Sequence, residues 1–191
     1  MTGNLGALWG GFGVVAILVY AIWRITPHAW QAIEAGMNIW QWLILIANVV
    51  FMAWSEGYRG FQTRFSPRVA ARTLHLQRNP GIITVLFAPL FVIGYFHADR
   101  RSLWQAWIGT LAIVVLVLLV HQMPQPWRGI LDAGVAVGLS WGLASFLVSL
   151  QRTFASGEYK RNPGLPDGPQ TLGAGRAKVG RGTGSARAGP V

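Results

Sequence analysis

Residues 103–120 read LWQAWIGTLAIVVLVLLV, eighteen positions without a charged side chain. A surface helix of a soluble protein carries a polar face beside its apolar stripe, and a buried strand ends after four to eight residues. This run does neither. At 1.5 Å per residue it reaches about 27 Å as a helix, close to the roughly 30 Å of a bilayer's hydrocarbon core. It reads as a transmembrane helix, and the rest of the chain is read around it.

Three more runs have the same character: 5–23, 37–54 with Gln41 and Asn48 inside it, and 130–150. A fifth, 82–96, has only fifteen residues and carries Pro89 at its middle, so it reaches about 22 Å if fully helical. That is short for a simple crossing. The expected fold is an all-α integral membrane protein: four transmembrane helices plus a short, Pro-broken, re-entrant or kinked fifth segment, within a bundle over 1–150. The first run lacks the basic lead and the small-residue cleavage site of a secretion signal, because residues 1–23 contain no Lys or Arg. It is expected to be a retained helix.

Composition agrees. The chain is 52% hydrophobic and only 12% charged, about half the charged share usual in globular proteins. It contains no cysteine, which excludes disulfides, a CxxC redox pair and a Cys-based zinc site. Sixteen Lys and Arg against six Asp and Glu give a net charge of +10. That excess points to anionic partners. From residue 151 the chain turns Gly-, Pro- and Arg-rich with few bulky apolar residues, and a disordered basic tail is expected over 151–191. Its ending, GRAKVGRGTGSARAG, has no aromatic to stack a base, so nucleic acid is not an expected partner.

The arginines set the expected orientation. Arg59, Arg64, Arg68, Arg72 and Arg78 lie between the second run and the fifth, Arg100 and Arg101 follow the fifth, and seven basic residues occupy the tail. If 82–96 enters and leaves by one face, fourteen of the sixteen cations share a side, leaving only Arg24 and Arg128 opposite. Basic residues near spans stay cytoplasmic, so both termini are expected inside a bacterial-type inner membrane. Trp23, Trp30, Trp54, Trp104, Trp107 and Trp127 fall near span ends, where indoles anchor in the headgroup zone.

Within this frame two groups of residues carry expectations. Ser66-Pro67 reads as a helix start and Asn79-Pro80-Gly81 as its stop, giving an interfacial amphipathic helix over about 67–78. Arg64, Arg68, Arg72 and His75, with Arg100 and Arg101, are the expected site for an anionic lipid headgroup or phosphorylated ligand. Gly134, Gly138 and Gly142 form a small-residue groove on the last span, for another helix of the chain, a partner protein or a second copy. Gly6 and Gly10 repeat the pattern on the first. Glu56 and Arg59, three apart, read as a helix-end ion pair.

Catalytic readings are weak. Gly138-Leu139-Ser140-Trp141-Gly142 matches the GxSxG pattern, but inside an apolar helix rather than a strand-to-helix elbow. His28, His75, His97 and His121 have no HxxxH or HExxH spacing, so no haem, metal or other cofactor is expected. No carboxylate falls at a span centre, which disfavours ion-coupled transport. The expected function is a non-catalytic accessory or scaffold subunit that engages anionic lipid or an acidic partner through its basic loop. The alternative is a small uncoupled channel or exporter component for anions, using 79–101.

Overall fold

The computed structural model describes residues 2–158 and 162–165. Their regular structure is entirely helical, with no strand among them. In chain order the elements are α1 (Thr2–Glu34), α2 (Ile39–Met52), a π-helix (Ala53–Phe65), α3 (Ser66–Arg78), α4 (Ile82–Leu86), α5 (Ala88–Ile93), α6 (Arg100–His121) and α7 (Trp127–Ser156). α2, the π-helix and α3 join without a break into one rod of 40 residues. Four helices are therefore long and apolar enough to cross a membrane: α1, this rod, α6 and α7.

Each start and stop has a local cause. Asn38 begins α2 with a reciprocal capping box: its side chain accepts from Gln41 N at 2.9 Å, and the Gln41 side chain accepts from Asn38 N at 2.9 Å. Gly157, at φ 64°, closes α7 in the left-handed conformation that costs glycine least. α7 thus runs six residues beyond the apolar stretch that marks it. Residues 151–156, expected to open the tail, complete this helix instead. Residues 162–165 fold back onto the bundle, with Pro163 buried and Leu165 against the core. The remainder of the expected disordered tail, 159–161 and 166–191, lies outside the described residues.

The middle of the rod explains how a 40-residue helix stays packed against α7. The residues that meet α7 or lie in the core beside it are Asn48, Met52, Gly57, Phe61, Phe65 and Val69, recurring about every fourth position. A uniform α-helix turns 3.6 residues per turn, so a four-residue repeat drifts steadily off its partner. π-helical winding takes more than four residues per turn and drifts the other way. Alternating the two keeps one face on α7. Ser66 N donates back five residues to Phe61 O, and Pro67, which has no N–H, follows at the change of register. The expected helix start at Ser66-Pro67 is therefore a junction within a continuous helix.

The π winding also removes the expected Glu56–Arg59 pair. The wider turn rotates positions three apart away from each other. Arg59 instead sits over the Trp54 ring, with Cζ 5.1 Å from the centroid, and the one ion pair among the described residues is Arg128–Asp132.

The stretch 82–96 is two short helices broken at Phe87, with Pro89 withholding the N–H that would carry α4 onward. Gly94, at φ 107°, turns the chain out of α5. The rod ends and α6 begins at one end of the bundle. There Arg78 donates to Gly157 O, and Asp99 N donates to Gly164 O at 2.9 Å. Segment 79–99 therefore begins and ends at the same end of the bundle. α4 and α5 lie on the glycines of α1. A Cβ on Gly10 would come within 3.1 Å of Val92, and one on Gly13 within 2.8 Å of the Pro89 ring. Val14 and Leu18 of α1, Val69 and Leu76 of α3, Ala88, Phe91 and Val92 of α5, and Phe146 of α7 form the core.

α3 is not an amphipathic surface helix. Val69, Ala70, Ala71, Thr73, Leu74 and Leu76 are all buried, and α1, α5 and α7 enclose them. Short side chains on most of its faces let three neighbours close around it, a possibility that a cation-bearing face conceals in the sequence.

Candidate functional site

Arg72, at the centre of α3, is 1% exposed. Its guanidinium is consumed by backbone. Nε donates to Phe91 O at 2.8 Å, Nη1 to Pro163 O at 3.0 Å and Gly164 O at 3.3 Å, and Nη2 to Phe96 O and His97 O, both at 3.1 Å. Those carbonyls belong to the end of α5, the turn after it and the returning segment 162–165. His97 holds a left-handed backbone, φ 49°, which aims its carbonyl at the arginine. A planar fork with five donors suits several fixed acceptors as no other side chain does. Arg72 is therefore a tie among three chain segments, and it does not face a headgroup as the sequence led one to expect.

The other expected cations do not assemble around it. Arg64 is exposed on the π-helix. Arg68 Nη1 donates to Gln105 Oε1 at 2.6 Å and ties α3 to α6. His75 is half-buried, its Nδ1 3.5 Å from Asn79 Nδ2. Arg100 and Arg101 are exposed at the start of α6. The six residues are scattered over a buried tie, an inter-helix contact and open surface.

The glycine groove is filled from within the chain. Gly134, Gly138 and Gly142 are buried against the rod: Gly134 meets Asn48 and Met52, Gly138 meets Met52 and Glu56, and Gly142 meets the ring of Phe61. The rod answers with Gly57, where a Cβ would lie 2.8 Å from Trp141. That face is closed to a second copy or a partner protein. Asn48, the deepest polar residue of α2, donates from Nδ2 to Ile130 O at 2.8 Å and stitches the same seam.

Two polar features were not anticipated. At the end of the bundle opposite Arg78, Arg128 Nη2 lies 2.8 Å from His28 Nε2 while Arg128 Nε is 3.8 Å from Asp132. Gln125 there donates to His28 O at 3.3 Å and accepts from Gly129 N at 3.2 Å. This ties the end of α1 to the start of α7. Among the described residues no three His, Cys, Asp or Glu come together as metal ligands.

The second feature is a cavity of about 380 Å³ between α7 and the junction of the π-helix with α3, lined by Gln62, Pro67, Ala144, Ser145, Val148, Ser149, Arg152 and Thr153. The signal in the sequence is Ser145, Ser149 and Arg152 at helical spacing, with Arg152 just inside the stretch whose composition reads as tail. A separate groove of about 510 Å³, mostly apolar, runs between α1 and α7 over Thr73 and Gln77. Compared with protein-family models, with curated proteins and with solved structures, the chain matches none.

Proposed function

We propose that this chain is a multi-pass integral membrane protein acting as an accessory or scaffold subunit, not a catalyst. It sits in a bacterial-type inner membrane with both termini in the cytoplasm and segment 79–99 re-entrant from that side. The observation that carries the reading is the surface of α6. Every residue from Leu111 to Leu119 is exposed, on all sides of the helix, and all are aliphatic. Water does not tolerate such a cylinder on a monomer, whereas lipid tails solvate it. α2 adds Ile39, Trp40, Leu43, Ile44, Ile46, Val50 and Phe51 to the same exposed surface. The polar groups that a catalyst would place in a cleft are, in Arg72, Asn48 and Arg128, engaged in tying helices together. The exposed cations Arg64, Arg100, Arg101 and Arg152 supply the attraction to anionic headgroups or an acidic partner. Alkaline carbonate washing of membranes tests the reading. The chain is expected to stay in the pellet and to need detergent for release, and recovery as a monomer in plain buffer overturns the proposal.

A further inference from the structure

The geometry points to a binding site for an anionic phosphate group, carried by a membrane lipid, in the cavity between α7 and the π-helix–α3 junction. The inference deepens the membrane reading above by assigning residues and a ligand class to the contact with anionic lipid. Ser145 and Ser149 stand one turn apart on α7, and Arg152 and Thr153 continue the row. A hydroxyl on a spanning helix ordinarily donates to the carbonyl four residues back, as Ser140 does to Ala136 O at 2.7 Å. Ser145 and Ser149 make no such bond, and neither they nor Arg152 have a hydrogen-bond or ion-pair partner among the described residues. Across the cavity Gln62 spends its carbonyl oxygen on Trp141 Nε1 at 2.8 Å, which leaves its amide N–H groups as donors.

The lining therefore offers three hydroxyls, from Ser145, Ser149 and Thr153, an amide and one guanidinium, and no carboxylate. Such a set selects an anion, and the fork of an arginine matches the oxygens of a phosphate. No aromatic ring lines it, so nothing there would stack a nucleobase. Pro67, Ala144 and Val148 supply an apolar wall beside the polar row. That pairing fits an amphiphile, with the phosphate at Arg152 near the end of α7 and the glycerol and first acyl carbons running down past Ala144. The volume lies within the range of small-molecule sites.

Native mass spectrometry of the full chain in detergent tests this, titrating phosphatidylglycerol, phosphatidylcholine and inorganic phosphate. One phosphatidylglycerol per chain is expected, with weaker retention of the zwitterionic lipid. Arg152→Gln and the double change Ser145→Ala with Ser149→Ala are expected to weaken retention about tenfold or more, the order of a lost charge-assisted bond. Arg24→Gln, at the far half of α1, is expected to leave it unchanged. Inorganic phosphate that displaces the lipid only in large excess supports a lipid source, and displacement at equal concentration assigns the same site to a soluble phosphate. Arg152→Gln without effect, or equal retention of both lipids, overturns the site. A chain that binds phosphate through Arg152 yet leaves the membrane under carbonate would keep the site and remove the membrane reading, so the two fail separately.

Discussion

Arg72 and Phe91 meet twice: the arginine Nε donates to the Phe91 carbonyl at 2.8 Å, and its Cζ lies 4.5 Å from the centroid of the Phe91 ring. The first contact fixes the end of α5, and the second covers a cation that has left water. Together they hold a segment that Pro89 breaks into two short helices. In a low-dielectric interior, free carbonyls at a helix end need such a donor.

Removing that donor should therefore loosen the fold. Arg72→Leu strips a hydrogen bond from five carbonyls, and each buried acceptor left without a partner costs about 1–3 kcal/mol. Arg72→Lys keeps a charge and three donors but not the fork. Thermal unfolding in detergent should rank wild type above Arg72→Lys and Arg72→Lys above Arg72→Leu. Equal melting of all three would mean that the tie is ornamental.

Two of the five carbonyls belong to Pro163 and Gly164, so the chain beyond α7 contributes to stability. A stop after residue 165 should preserve the wild-type melting temperature and resistance to protease. A stop after 161 should lower both, because it takes two acceptors from Arg72 and the Gly164 carbonyl from Asp99 N. If the two truncations melt alike, residues 162–165 have no structural role.

Glycines on α7 and α6 should respond in opposite ways to a side chain. At Gly142 a Cβ would stand 2.5 Å from the Phe61 ring, so Gly142→Leu should destabilise by about 1–3 kcal/mol or more through overpacking. Gly109 has nothing within 4 Å of its Cβ position. Gly109→Ala should be neutral, or stabilising by about 0.5–1 kcal/mol from helix propensity. The comparison is read from detergent melts of the two variants side by side.

Cysteine labelling tests the orientation directly, since the native chain has no cysteine to interfere. Ser156→Cys and Arg101→Cys should react with an impermeant maleimide from the cytoplasmic side, and Gln125→Cys only from outside. Arg101→Cys and Ser156→Cys reacting from opposite sides would mean that segment 79–99 crosses the bilayer.

The long apolar helices were legible because uncharged runs of that length suit a helix long enough to cross a membrane, and a single residue, Pro89, announced the break between α4 and α5. The glycine spacing on α7 announced a close helix contact, though not its partner. That partner is the rod, which no local pattern names. Arg72 was misplaced for a physical reason: a cation at helical spacing with Arg68 and His75 looks the same whether the face meets phosphates or backbone carbonyls. The deciding acceptors come from residues up to 92 positions away. Arg152 was missed because Gly and Pro farther along set the apparent composition of the tail, while α7 itself continues past it.

The π-helix has one more consequence. It couples the two ends of the rod in rotation, since its thirteen residues set the angle at which α3 presents Arg72 relative to the face α2 presents to α7. Were those residues to tighten into ordinary α winding, α3 would swivel by about half a turn. Arg72 would then swing away from Phe91, Phe96 and His97 while Asn48 kept its grip on Ile130. The winding of one segment thus sets whether the five carbonyls bound by Arg72 lie within its reach.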